Sequence, residues 1–203
     1  MMMRRVNVRR LTLMAILTAI ALIIFIIEAQ IPMPIPVPGV KLGLANAVTL
    51  FALFYGAKVR GENLHNGASR MPRPINVQIP YIKHPSASSP SLTTINVFTI
   101  LLCRILLGAI FTGRPIVVVY SLVGGILGFV AQIIMKRFVS SKQIWVCGAF
   151  GAVFHNIGQI VAAMVITGTP AIIMYLPILI IAGVFTGVLT GLIAQLTLSR
   201  LFS

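Results

Sequence analysis

The chain has 203 residues, of which 58% are hydrophobic and 9% charged, with a mean hydropathy of +1.03. Soluble domains carry about 25% charged residues, so this composition excludes a water-soluble globule, and the high hydrophobicity excludes a disordered chain. Sixteen Lys and Arg residues face two acids, which gives a net charge of +14. Because these cations flank apolar runs, they indicate membrane topology rather than nucleic-acid binding.

Apolar runs long enough to cross a bilayer predict an all-α integral membrane protein of about six transmembrane helices in a single domain. The stretch at 58–94 is rich in Gly, Asn, Ser and Pro, and it predicts a flexible cytoplasmic loop. Cys103 and Cys147 fall inside apolar runs, so we predict neither a disulfide nor a metal site, and no cofactor. The predicted spans lie near 11–27, 42–57, 95–113, 116–136, 143–167 and 171–198.

The distribution of basic residues predicts the orientation in the membrane. With the N-terminus inside, thirteen cations lie in cytoplasmic segments, and only Lys41 and Arg114 lie outside. Cytoplasmic enrichment of Lys and Arg sets topology, so both termini are predicted to be cytoplasmic, in a bacterial cytoplasmic membrane. The thirteen are Arg4, Arg5, Arg9, Arg10, Lys58, Arg60, Arg70, Arg73, Lys83, Lys136, Arg137, Lys142 and Arg200.

Cysteine labelling of intact cells tests this orientation. A membrane-impermeant maleimide should react with the Ile35→Cys variant and not with Ile75→Cys, because position 35 is predicted outside and position 75 inside. The unmodified chain, with Cys103 and Cys147 within spans, gives the background. The opposite labelling pattern would contradict the topology.

Two ionisable residues fall within or beside predicted spans. The chain has no Asp, and Glu28 is its only acid near the membrane, while Arg104 lies nine residues from each end of its span. Ionisable groups at this depth face a cavity or a partner. Glu28 and Arg104 either form an ion pair that holds helices together, or one or both line a ligand cavity.

A second polar group occupies the fifth span, where His155 and Gln159 share one helical face and Asn156 lies about 100° around the helix. These side chains either form interhelical hydrogen bonds, which contribute about 1 kcal/mol or less each, or bind a ligand.

Between the first two spans, prolines alternate along 31–39, and this stiff segment runs into Lys41 and Asn46. It is either a lid over an outward-facing pocket or a plain connector, and we favour the lid.

Several of these motifs together resemble the Gx transporter family, which is commonly labelled heptaprenyl diphosphate synthase component I. They are Glu28 with 31–46, ending in Lys-Leu-Gly-Leu-Ala-Asn, and the segments 104–108, 155–159 and 168–170. The resemblance covers everything except the loop at about 60–94. In size and six-helix layout the family is similar to the substrate-binding S-components of energy-coupling factor transporters.

This resemblance implies a substrate in the outer half of the membrane, under the loop that joins the first two helices. It also implies that Ala15 and Ala19, four residues apart on the first helix, contact a transmembrane coupling subunit. The chain has no Gly-x-x-x-x-Gly-Lys-Ser/Thr phosphate loop. Uptake would therefore need that coupling subunit and separate ATPases as partners, besides the lipid bilayer.

The function favoured by these patterns is a binding subunit for uptake of a small polar or anionic nutrient. Lys41 and Arg104 would supply positive charge, and Glu28 would balance Arg104 or bind an amino group. The hydrogen-bonding side chains that would orient the ligand are Asn46, His155, Asn156 and Gln159.

Two other functions stay open. The family label suggests a non-catalytic membrane component of heptaprenyl diphosphate synthase. The chain cannot be the catalytic subunit, because it has no Asp with which to bind the magnesium ions of a prenyltransferase. A secondary transporter, with His155 and Glu28 relaying protons, is the third alternative. The absence of a recognisable repeat in the sequence argues against it.

Overall fold

The structure is a computed structural model, and it describes residues 8–31, 41–61, 90–113 and 116–202. The described residues form helices and short connections without strands, which confirms the predicted all-α class. The helices are α1 (Val8–Glu28), α2 (Asn46–Val59), α3 (Thr94–Thr112), α4 (Ile116–Met135), α5 (Ile144–Thr167) and α6 (Leu176–Leu201), with a 3₁₀ helix (Pro170–Tyr175) before α6.

Five of the helical stretches are long and apolar enough to cross a membrane. They include α1, α3, α4 and α5, and the fifth combines the 3₁₀ helix with α6. The protein is therefore a multi-pass membrane protein. The predicted lid at 31–39 lies outside the described residues apart from Ile31, and so do residues 62–89 of the predicted 58–94 loop.

The sixth apolar helix, α2, is shorter than the others. Its 14 residues span about 21 Å, against a hydrocarbon core of about 30 Å. The predicted second span begins at 42, whereas the helix begins at Asn46, because Gly43 has a φ of +82° and interrupts a right-handed helix. Residues 41–45 are consequently a non-helical entry to α2, and such backbone is tolerated at membrane depth only when it is buried in protein.

Glycines bring α4, α5 and α6 close together. A Cβ on Gly187 of α6 would lie 2.6 Å from Ala149 Cα of α5, and one on Gly158 of α5 would lie 2.8 Å from Gly124 Cα of α4. Helix backbones approach this closely only where side chains are small. The tight contacts of α5 with both neighbours fix the position of its polar face, which carries His155 and Gln159.

Candidate functional site

The 41–46 segment, which consists of the non-helical residues 41–45 and the first residue of α2, is held by polar side chains from three different helices. Oε1 of Glu28, at the end of α1, accepts hydrogen bonds from the backbone N–H groups of Gly43 at 2.5 Å and Leu44 at 3.1 Å. Oε1 of Gln159 on α5 accepts from the backbone N–H of Lys41 at 3.1 Å. These bonds satisfy backbone donors that no helix satisfies, and this explains how the segment is tolerated within the membrane.

Arg104 connects α3 to the start of α2. Its Nη2 donates to Oδ1 of Asn46 at 2.5 Å, and the side chain is only 3% exposed. The hydrogen bonds of Glu28 and Arg104 thus go to the 41–46 segment, from two sides. One of the two sequence-based interpretations was an ion pair between Glu28 and Arg104. The hydrogen bonds that the structure shows for these two side chains go to the 41–46 segment instead.

Lys41 lies over the aromatic ring of Phe25. Its Nζ is 3.1 Å from the ring centroid and donates to the Phe25 backbone carbonyl at 3.5 Å. A desolvated cation over a ring face is stabilised by the ring quadrupole, by about 2 kcal/mol. Lys41 is also buried, so its charge lies inside the protein next to Arg104 and Glu28.

A small cavity lies at the centre of this cluster. Its volume is about 10 Å³, which is room for about one water molecule. Several polar atoms around it have no hydrogen-bond partner among the described residues, including Nε of Arg104, Nε2 of Gln159 and Oγ of Ser121. The cavity is lined by Phe25, Glu28, Lys41, Gly43, Arg104, Ser121, His155 and Gln159.

Asn156 lies apart from this cavity. Its Nδ2 donates to the Leu179 carbonyl of α6 at 2.7 Å, and it is not among the residues that line the cavity. The structure therefore brings six of the seven sequence-predicted site residues together, through the cavity or through the Arg104–Asn46 bond. The side chain of Asn156 lies instead in the contact between α5 and α6, which is possible because Asn156 is about 100° around the helix from His155.

Three further residues of the cavity were not among the predicted site residues: Phe25, Gly43 and Ser121. Ser121 is buried in α4, and a hydroxyl within an apolar span was a usable signal. Phe25 carries no such signal, since its role depends on the fold placing Lys41 over its ring. Gly43 lies in the Lys-Leu-Gly-Leu-Ala-Asn motif, but its positive φ becomes visible only in the structure.

A scan against protein-family models matches residues 17–60 and 70–197 to heptaprenyl diphosphate synthase component I. The chain belongs to this family. No curated protein and no solved structure matches it. The part of the chain that matches the component I family model contains the whole cavity lining and Ala19, whereas Ala15 precedes it.

Ala15 and Ala19 lie on a face of α1 that is exposed in this component I protein. The neighbouring Ile16 and Ile20 are exposed as well. This face is therefore available to lipid or to another membrane protein.

In the described residues there is no group of three or more His, Cys, Asp or Glu residues that could hold a metal ion.

Replacing Gly43 by Ala should destabilise the protein more than the same change at Gly61. Both residues have positive φ, +82° and +69°, so both substitutions share a backbone strain of about 1–2 kcal/mol. A Cβ on Gly43 would also lie 2.8 Å from His155 Cδ2 and 2.9 Å from Asn46 Nδ2, whereas one on Gly61 meets nothing within 4 Å. We expect an additional loss of about 1–3 kcal/mol at Gly43, measured by thermal unfolding. Equal losses would show that the close contact is unimportant.

Proposed function

We propose that this protein is a membrane-embedded binding subunit for uptake of a small anionic molecule. The proposed site is the cavity beneath the 41–46 segment, with Arg104 as the main group that binds the anion. The cytoplasmic membrane of a bacterium is the proposed location, and the basic ends of the helices agree with it.

The observation that carries this proposal is a group of buried hydrogen-bond donors without partners among the described residues, beside the buried guanidinium group of Arg104. Lys41 and Arg104 are both buried, and Glu28 is the only acid that faces them among the described residues. A buried guanidinium group is costly in the membrane interior, and a ligand with a negative charge would stabilise it.

The unpaired donors favour the same class of ligand. Nε of Arg104, Nε2 of Gln159 and the hydroxyl of Ser121 could donate to the oxygens of a carboxylate. Glu28 has a different role in this proposal, because its carboxylate already accepts two backbone hydrogen bonds and so fixes the 41–46 segment. The cavity has room for about one water, so a ligand of nutrient size requires the 41–46 segment or the surrounding side chains to move apart.

Mass spectrometry of the molecules that copurify with the protein tests the proposal. We expect a small anion to be released from the wild-type protein and to be lost from Arg104→Met. Arg200→Met is the matched control, because Arg200 is exposed in the last turn of α6, and it should retain the molecule. Retention in Arg104→Met, or loss from both variants, would contradict a site built on Arg104.

Coupling to a transport module is the second part of the proposal. Ala15→Trp or Ala19→Trp should abolish copurification with a coupling subunit and its ATPases, because a large side chain prevents close helix contact. Ligand retention should be unchanged, since this face is remote from the cavity. Ile193→Trp adds the same ring to an exposed position on another helix, α6, and should leave assembly intact. Unchanged copurification of Ala15→Trp and Ala19→Trp, or no associated ATPases in the wild type, would contradict coupling.

The family description favours a second candidate function, that of an accessory membrane subunit of a prenyl diphosphate synthase. The sequence contains no Asp, so the magnesium-binding carboxylates of such an enzyme would have to come from another chain. Copurification with a soluble prenyl synthase chain, and dependence of its activity on this protein, would support this candidate. Copurification with ATPases instead would support the uptake function.

A further inference from the structure

A second cavity lies at the opposite end of α2 from the candidate site. It has a volume of about 170 Å³, which is space for several non-hydrogen atoms. Three elements converge on it: the last turns of α2 and α6, and the connection between α4 and α5. Its lining residues are Phe54, Lys58, Ser141, Lys142, Ile144, Gln195, Leu198 and Ser199.

We propose that this cavity binds the phosphate group of an anionic amphiphile, most simply a phospholipid headgroup. Lys58 from α2 and Lys142 from the α4–α5 connection line it together, and hydroxyls of Ser141 and Ser199 stand beside them. The ammonium group of Lys and the hydroxyl group of Ser both donate hydrogen bonds to phosphate oxygens. Independently of the proposed function, this assigns a ligand to a part of the protein that the candidate site does not use.

The charge around this cavity supports an anionic ligand. Among the described residues the only acid is Glu28, and it is bonded to Gly43 and Leu44 at the other end of α2. Lys58 and Lys142 therefore have no acidic partner in the described part of the chain. Ile144 is the first residue of α5, so the positive end of that helix dipole also faces the cavity.

The position of the cavity at the helix ends favours a lipid over a soluble phosphate. Lys58 and Lys142 both come from segments predicted to be cytoplasmic, and the structure brings the α2, α5 and α6 ends together around one opening. Basic pockets between transmembrane helices on this side bind anionic headgroups, because the cytoplasmic leaflet carries anionic lipids. Phe54 and Leu198, which are both buried, form the apolar side of the cavity.

The single tryptophan of the chain, Trp145, directly follows Ile144 of the cavity lining and provides a readout. Phosphatidylglycerol with brominated acyl chains should quench Trp145 fluorescence of the full chain in detergent. Its apparent affinity should be about tenfold or more above that of brominated phosphatidylcholine, since two lysines each favour an anionic headgroup.

Two matched double variants, each removing two positive charges, complete the test. Lys58→Gln with Lys142→Gln should abolish the preference for phosphatidylglycerol, and Arg137→Gln with Arg200→Gln should keep it, because neither arginine lines the cavity. Lys58→Arg with Lys142→Arg keeps both charges and should retain the preference, which guards against a folding defect. If inorganic phosphate competes with phosphatidylglycerol and reduces the quenching, free phosphate is the ligand. If inorganic phosphate does not compete, the ligand is the lipid headgroup. Equal quenching by both lipids, or an equal loss in the arginine control, would overturn the proposal.

Discussion

Replacing Glu28 by Gln should destabilise the protein far more than replacing Arg104 by Met, although each substitution removes one buried charge. Glu28→Gln removes the only acid of the cavity lining, which faces Lys41 and Arg104, and weakens the acceptor for the Gly43 and Leu44 N–H groups. Removing one partner of buried charges costs about 3–5 kcal/mol. Arg104→Met leaves Glu28 facing Lys41, which is neutral overall, and loses mainly the hydrogen bond to Asn46, for about 1–3 kcal/mol.

The two variants should rank in the opposite order for ligand binding. Arg104→Met should fold but lose the copurifying anion, whereas Arg104→Lys should retain part of the affinity, because the charge stays and the planar donor set is lost. Thermal midpoints with and without the identified ligand separate the two properties, since a ligand that binds only the folded state raises the midpoint.

The double variant Glu28→Gln with Arg104→Met provides the control. It leaves Lys41 as the one buried charge, so its stability should recover part of the loss seen in Glu28→Gln alone. Strong coupling of this kind is expected for charges that share one site. If Arg104→Met proves the more destabilising single change, Arg104 is a structural counter-ion of Glu28, and the proposed role of Arg104 in binding the anion fails.

The membrane class could be predicted from sequence because it depends on hydropathy summed over long runs. Each of α1, α3, α4 and α5 is predominantly apolar over at least 18 residues, and no packing detail changes that. The start of α2 was harder to predict. Leu42 and Leu44 continue the apolar run, and only the backbone geometry of Gly43 shows that the helix begins at Asn46.

The polar residues of the candidate site could be predicted individually, but their partners could not. Burying Glu28 or Arg104 in a membrane requires compensation, which marks both as important. The sequence left open whether they compensate each other or line a ligand cavity, and the structure gives each a hydrogen-bonding partner in the 41–46 segment. Asn156 was predicted to bind the ligand, but its side chain donates to the Leu179 carbonyl of α6. Which neighbour it meets depends on how α5 is rotated against α6, and short-range sequence patterns do not encode this rotation.

Adjacent glycines on α4 offer the sharpest test of the link between helix packing and the site. A Cβ on Gly124 would lie 2.7 Å from the His155 carbonyl oxygen and 2.8 Å from Gln159 Cγ. A Cβ on Gly125 would instead meet the terminal methyl groups of Ile105 at 3.2 Å and Leu101 at 3.3 Å. Backbone of a packed helix cannot yield as a methyl group can, so the same substitution should have different effects at the two positions.

Gly125→Ala should be neutral or stabilising by up to about 1 kcal/mol, because alanine favours a helix by that amount over glycine. Gly124→Ala shares this gain but forces α4 away from α5, at a cost of about 1–3 kcal/mol for overpacking. The displacement acts on His155 and Gln159 directly, and Gln159 holds the Lys41 backbone, so ligand retention should fall much more than stability does. Thermal unfolding and quantification of the copurified anion measure the two effects. If Gly124→Ala retains the anion as well as Gly125→Ala does, the α5 face can shift without affecting binding, and His155 and Gln159 do not hold the ligand.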